Sequence, residues 1–264
     1  GYPILSIKNI KRKTIFVIEA SSYQLEYSQL FRSKYAAILN ISPDHLERHG
    51  TIKKYVSAKF KLLKNQKKNS IALVNKYDKY IQDKIITHDY NSRVIQIDTK
   101  IKISNLFKNK IFLSESNKEN LLFVIELSKK FGVTKNNLKK AVNKFKGLKY
   151  RQQIILNNKN IKIINDSKST SYSSSIEMLK NDDNIYWLIG GIPKRGDKFN
   201  LPKKFCKNIK GYLFVNNYKK FSLDLKNKIK LRKFSNLKNA LNGLFEDIKV
   251  DNSFRKTILF SPAA

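Results

Sequence analysis

The 264-residue sequence carries 54 Lys and Arg against 20 Asp and Glu, a formal charge of +34, with 41% hydrophobic residues. That much apolar chain can build a core, which excludes wholesale disorder, and no apolar run nears the roughly 18 residues of a membrane span. Cys206 is the single cysteine, which excludes an internal disulfide or Cys-rich zinc framework and fits a reducing cytoplasm.

Strand and helix signals alternate along the first half. Thr14–Ile18 is a short β-branched apolar run and reads as a buried strand ending at Glu19-Ala20-Ser21-Ser22, with a helix from Tyr23. Residues 35–41 read as a second buried strand, ending at Ser42-Pro43-Asp44-His45, with a helix over 51–63. Residues 70–74 read as a third strand, 85–113 as short β segments with turns, and 118–131 and 134–145 as amphipathic helices. Strands separated by helices predict a mostly parallel sheet.

A boundary falls near Gly147–Tyr150, dividing the chain into 1–148 and 149–264. Beyond it the sequence predicts a hairpin over 153–156 and 161–164, strands at 185–189, 211–215 and 257–260, and a helix over 237–248. The fold class expected is α/β in both halves. The start shows no basic region followed by an apolar stretch, so no signal peptide is expected. Gly1-Tyr2-Pro3 reads as the middle of a turn, and Ser261–Ala264 follows a buried strand where a helix would be due. Both ends read as cut.

Ligands in open α/β sheets bind beyond the carboxyl ends of the strands. Glu19, with Ser21 and Ser22, follows the first strand; Asp44 and His45 follow the second. Glu19 and His45 could share a divalent metal, although a Glu after a strand is commonly a cap and a lone His a loop residue. Gly190–Asp197 can turn tightly beside the cations Lys194 and Arg195 and hold a carboxylate or phosphate, or be an ordinary glycine turn. Asn165–Thr170 precedes a Ser-rich helix start, where free amides and Lys168 favour anions and Ser and Asp equally favour capping. Neither G-x-x-x-x-G-K-[ST] nor G-x-G-x-x-G occurs.

The charge has two readings. A basic surface for nucleic acid or an anionic membrane is one. The other is compositional: 46 Lys against only 8 Arg, with 28 Asn and 31 Ile, are the residues of AT-rich codons. The Lys are scattered, and phosphate-reading surfaces favour Arg.

In order along the chain, the clusters resemble the Mur ligases. Glu19–Glu26 is similar to that family's E-L-S-S-[FY]-Q-L-E segment, with Ala20 for the common Leu. Ile38–Arg48 is similar to I-L-N-[IV]-x-x-D-H-[LM]-D-R. Lys59 fits the lysine of the next helix, Tyr150-Arg151 the [HY]-R pair, Asn165–Thr170 the N-D-S-K-[AS]-T segment, and Gly190-Gly191 with Lys194 and Asp197 the glycine loop. Ser261-Pro262-Ala263 fits a late S-P-[AG] strand end, and Gly1 the last glycine of a G-N-I-G turn. The N-D-S-K segment resembles the D-glutamate-adding branch. Ser114–Asn120 keeps both asparagines of G-x-H-N-x-x-N but lacks its Gly and His.

The resemblance implies a central ATPase-type domain followed by a Rossmann-like domain, without the UDP-binding domain or the phosphate loop. It implies a bacterial cytoplasmic, monomeric enzyme that uses ATP and Mg²⁺ to join UDP-N-acetylmuramoyl-L-alanine to D-glutamate, with no specific nucleic acid as partner. Glu19, His45 and Lys59 (as a carbamate) would hold metal. Asn117, Asn120, Arg151 and Asp166 would bind ATP. Ser21, Asp44, Thr170, Lys168 and Lys194 would bind substrate, with Lys59, His45, Lys168 and Lys194 the groups nearest the chemistry. A sibling ligase or a folylpolyglutamate-synthetase-like enzyme is the related alternative, and a basic nucleic-acid-binding protein the unrelated one.

Overall fold

The computed structural model describes residues 3–103, 107–194, 196–214 and 219–263, with Leu113 as backbone only. The expectations placed on Gly1, Tyr2, Arg195, Val215 and Ala264 lie outside the described residues.

In the first half, α1 (Ser22–Tyr27) precedes β1 (Tyr35–Ile38), α2 (Leu46–His49), α3 (Ile52–Lys64), β2 (Ile71–Asn75), α4 (Lys79–Thr87) and β3 (Arg93–Ile97). The three strands form one parallel sheet in the order β1-β2-β3. Its central strand β2 buries Ala72, Leu73 and Val74 completely. Successive side chains of a strand point to opposite faces. Ala72 and Val74 therefore pack with Tyr55, Val56, Phe60 and Leu63 of α3, while Leu73 packs with Ile97 and Phe123 on the other face. Thr51 caps α3 by accepting from the Lys54 amide (3.2 Å). Asp78 caps α4 through Oδ1 (Ile81 amide, 3.1 Å) and accepts from the Ile41 amide through Oδ2 (2.6 Å), so it also fixes the turn after β1.

Then come α5 (Glu115–Lys130) and α6 (Lys135–Lys144), followed by the hairpin β4 (Gln153–Asn157) and β5 (Ile161–Asn165). Next are α7 (Tyr172–Asn181), β6 (Ile185–Ile189), α8 (Lys203–Cys206), β7 (Ile209–Phe214), α9 (Lys219–Leu225), β8 (Lys230–Phe234), α10 (Leu237–Val250) and β9 (Lys256–Phe260). This sheet has the order β4-β5-β9-β6-β7-β8, with only the β4–β5 pair antiparallel. On one face Trp187 packs with Tyr172, Phe199 and Phe221; on the other, Tyr186 and Tyr212 pack with Ala240 and Leu244 of α10. Strand β9 lies between β5 and β6, so the chain order reverses there. A crevice at such a reversal, beyond the strand carboxyl ends, is where α/β folds bind ligands.

Gly190 ends β6 at this crevice. A Cβ on it would sit 2.8 Å from the Phe214 carbonyl and 2.9 Å from its ring, closer than real Cβ contacts allow. Gly190→Ala should destabilise the chain by about 1–3 kcal/mol through overpacking, read as a lower urea midpoint.

At the opposite end of the strands, Lys210 Nζ donates to Asp251 (2.8 Å) and to the Tyr186 hydroxyl (3.1 Å), and Tyr186 donates to Asp251. Lys210, with Ser253 and Tyr186, holds the Asp251 carboxyl well below its ordinary range. Burial pushes Asp247 up, but hydrogen bonds from Tyr212 (2.6 Å) and Arg232 (2.5 Å) outweigh it and leave it low. Depressed carboxyls stabilise the fold above the unfolded value near about pH 4 and lose that contribution as pH falls below it. Acid unfolding of Asp251→Asn should therefore depend less on pH below about 4 than that of the parent.

Three expectations need correction. Residues 14–18 form no strand, and Ile15, Phe16, Val17 and Ile18 are exposed. A strand persists only where neighbouring backbones pair with it; β1 pairs with β2, and no described strand offers 14–18 a ladder. Among the described residues of 85–113 are the end of α4, a single strand and a 3₁₀ turn at Lys110–Leu113 rather than several β segments. The strand expected at 35–41 stops at Ile38, because Asp78 takes the Ile41 amide.

Candidate functional site

Residues after β1 meet residues of the second sheet's loops. Lys194 Nζ donates to Asp44 Oδ1 (2.6 Å) and to Thr170 Oγ1 (3.0 Å). Asp44 follows β1, Thr170 precedes α7 and Lys194 follows β6, so two strand ends and a helix start converge on one ammonium group. The Lys220 amine on α9 donates to the Lys194 carbonyl and fixes the loop from the other side. Asp197 accepts from the Tyr172 amide (2.6 Å) and anchors the same loop to the start of α7. Burial pushes the Asp197 carboxyl up, opposed by that amide and by Lys220.

His45 holds left-handed backbone geometry (φ 53°) at the start of α2, a conformation that a non-glycine residue adopts at a cost. The turn is held by Asp44 Oδ1, which accepts from the His45 amide (2.9 Å). The His45 ring lies 4.8 Å from that of Tyr23, with its nitrogens 3.5 Å from Asp44 and from Glu47. Lys59 projects from α3 and is half-buried, its amine 5.2 Å from the centre of the Tyr55 ring. Burial lowers the Lys59 pKa, while Asp44 and Glu19 pull it back up. Those two carboxylates thus act on the same amine. Burial, then Asp44 and Tyr23, push the Tyr55 hydroxyl up to about 12. Among the described residues, no three His, Cys, Asp or Glu side chains come together as a ready metal site.

The other sequence-derived candidates divide. Ser21 caps α1, accepting from the Gln24 amide (3.2 Å) while Gln24 Oε1 accepts from the Ser21 amide (2.9 Å). Asp166, after β5, is buried; it accepts from the Gln152 amide (3.0 Å) and the Ser261 hydroxyl (3.1 Å). Burial pushes its carboxyl up against those two bonds and the Arg151 charge. Ser261 continues the network to Ser175 (2.7 Å), and its carbonyl accepts from the Trp187 indole (2.7 Å). Asp166 and Ser261 therefore tie the ends of β5 and β9 together. Asn117 spends its amide on the Ile111 carbonyl (3.1 Å) and Gln152 (3.2 Å), which joins α5 to the turn before β4. Lys168 and Arg151 are exposed. Asn120 is partly buried.

Sequence reasoning passed over Lys220, Tyr23, Tyr55 and His49. His49 is buried, with Nε2 3.0 Å from the Ser22 hydroxyl and its ring stacked on Tyr23 at 5.6 Å. Its place four residues after His45, one helical turn on, was the available signal. Lys220 had none, being one lysine among 46.

The model of the Mur ligase middle domain matches residues 4–138. The chain belongs to the Mur ligase family. Among curated relatives, the UDP-N-acetylmuramoylalanine–D-glutamate ligase of Rickettsia felis is 32% identical over 282 residues, covering 100% of this chain and 62% of the relative. The enzyme of the same name from Wolbachia pipientis is 27% identical, covering 100% of this chain and 65% of its own length. This Mur ligase chain thus spans under two thirds of the relatives it matches. The crystal structure of MurF from Acinetobacter baumannii superposes with a TM-score of 0.68 at 18% identity, over 92% of this chain and 58% of that one. MurF ligase from Thermotoga maritima in complex with ADP gives 0.66 at 15% identity, over 92% and 62%. The two structures share the Mur ligase fold seen here, mixed α/β with mostly parallel sheets.

Proposed function

We propose that this chain supplies residues 1–148 as the ATPase-type domain and 149–264 as the Rossmann-like domain of a ligase that joins D-glutamate to UDP-N-acetylmuramoyl-L-alanine. The observation that carries this reading is Lys194 bridging Asp44 and Thr170, a cation between the two sheets that could exchange its protein partners for a substrate carboxylate. The relatives named for that reaction support the choice of substrates.

ATP would phosphorylate the carboxylate of the muramoyl substrate, and the D-glutamate amine would then attack the acyl phosphate and expel phosphate. Such transfers depend on positioning and on charge stabilisation. Lys194, with the Thr170 hydroxyl, would hold a carboxylate of D-glutamate, and Lys168 would add positive charge beside the transferring phosphate. Arg151 and Asn120 would face ATP. Asn117 and Asp166 would orient that region, since the Asn117 amide and both Asp166 oxygens serve neighbouring loops. Ser21 would present the start of α1 to the muramoyl group.

The residues present fit Mg²⁺. The lowered Lys59 pKa favours the neutral amine that can take up CO₂, and the resulting carbamate is an anionic oxygen donor. Glu19, His45 and Lys59 would hold the ion, which would neutralise phosphate charge. Asp44 would keep the His45 turn in place.

The test is a chimera in which this chain is joined to the regions of the Rickettsia felis relative that it does not span. Phosphate release should require ATP, UDP-N-acetylmuramoyl-L-alanine and D-glutamate together. A preference for another amino acid would reassign the chain to a sibling ligase. The 264 residues alone contain no G-x-x-x-x-G-K-[ST] segment, so they should show no D-glutamate-dependent phosphate release.

A further inference from the structure

A cavity of about 690 Å³ opens between Lys108-Asn109 and the C-terminal end of α6, lined by Lys108, Asn109, Asn143, Lys144, Phe145 and Lys146. Its walls are tied together. The Lys108 amide donates to Asn143 Oδ1 (3.1 Å), and Asn109 Nδ2 donates to the carbonyls of Val142 (2.8 Å) and Phe145 (2.7 Å). Asn109 Oδ1 also accepts from the Ile111 amide (3.0 Å), and the Phe145 ring sits 5.7 Å from Phe112. Two carbonyls at the end of α6, a place that would repel an anion, are thereby covered.

The three lysine amines in this frame have no ion-pair or hydrogen-bond partner among the described residues. The surrounding sequence offers none either: residues 127–165 hold 11 Lys or Arg and no Asp or Glu, and residues 99–114 also lack any acid. Other lysines of this stretch do find carboxylates just beyond it, as Lys162 does with Asp182 (2.8 Å) and Lys129 with Glu126 (2.8 Å).

We propose that this cavity binds a phosphate anion carrying three or more charges, held by the ammonium groups of Lys108, Lys144 and Lys146 against the Phe145 ring. The volume lies within the range of small-molecule sites. Phosphate fits better than a simple carboxylate for two reasons. Three separate ammonium groups call for a ligand with several charged oxygens. No guanidinium is present to favour the planar two-oxygen geometry of a carboxylate. The proposal is independent of the ligase reading, because none of these residues belongs to the cluster around Lys194.

The experiment titrates inorganic tripolyphosphate into the full 264-residue chain, followed by calorimetry and by nuclear magnetic resonance of the Asn109 and Asn143 side-chain amides. Three proteins are compared: the parent, Lys108→Gln/Lys144→Gln/Lys146→Gln, and a charge-matched control, Lys203→Gln/Lys204→Gln/Lys207→Gln. The cavity triple should weaken binding by roughly tenfold or more, the control by less than about twofold. Both asparagine amides should shift in the parent. Equal losses in the two triples would mean diffuse attraction to a basic surface and would overturn the proposal, as would unmoved asparagine amides. A Lys108→Arg/Lys144→Arg/Lys146→Arg variant guards against misfolding and should retain binding. Its loss, with the fold intact by circular dichroism, would also overturn the site.

Discussion

Lys59→Ala in the chimeric ligase should lower kcat by about 10² to 10³, the usual cost of removing one group that stabilises developing charge. The methyl side chain can neither accept CO₂ nor reach the region shared by Glu19 and Asp44. The lowered pKa of Lys59 comes from burial against Tyr55 and its neighbours on α3, so Lys59→Arg should not rescue: a guanidinium stays charged and forms no carbamate. A direct readout is available in the 264-residue chain itself. With ¹³C-bicarbonate and Mg²⁺, one carbamate carbon signal should appear in the parent and vanish in Lys59→Ala. Its persistence in the variant would reassign the modification to another lysine. Asp44→Asn should strengthen the same signal at a fixed low total carbonate, because the Asp44 charge raises the Lys59 pKa and would repel the carbamate. The asparagine oxygen can still accept from the His45 amide, which Asp44 holds at 2.9 Å, so the substitution changes charge and spares the turn.

Lys194→Ala should raise the KM for D-glutamate by on the order of 10² to 10³, with a smaller fall in kcat. Truncating one member of a hydrogen-bonded charge pair costs about 2–5 kcal/mol, part of it from the partner left unpaired. Here the partner is Asp44, which loses its 2.6 Å bond. Thr170→Val should cost about tenfold, because it removes one neutral hydroxyl and leaves the charge. Steady-state kinetics with D-glutamate as the varied substrate separates the two effects. If Lys194→Ala alters KM for ATP alone, the cation belongs to the nucleotide rather than to the acceptor.

Most of the second sheet was legible in the sequence because five of its six strands carry their own evidence. Residues 185–189 are apolar throughout and buried throughout, and the Asn-rich turn at 157–160 announces the hairpin. Residues 14–18 carry the same apolar signature and stay unpaired, since a strand also needs a neighbour, which periodicity does not encode. Strand β8, Lys230–Phe234, went unseen because Lys230, Arg232 and Lys233 interrupt its apolar pattern at the sheet edge. In the site, Asp44, Thr170 and Lys194 stood out by motif and prove to touch. Asn117 stood out equally, yet it spends its amide on the backbone of its own neighbourhood. A motif identifies residue types in order; only packing decides which polar atoms remain free for a ligand.

The position of β9 bears on biosynthesis. On a ribosome, the β4–β5 hairpin and the β6-β7-β8 block are both made before residues 256–260, the strand that stands between them. At about 5–20 residues per second, these two parts wait several seconds with their inner edges bare. Final closure then depends on a contact made across nearly a hundred residues, Ile161 to Lys256. The exposed interval is a natural point for a chaperone to engage the nascent chain, and synonymous codons that slow translation between 190 and 255 would lengthen it.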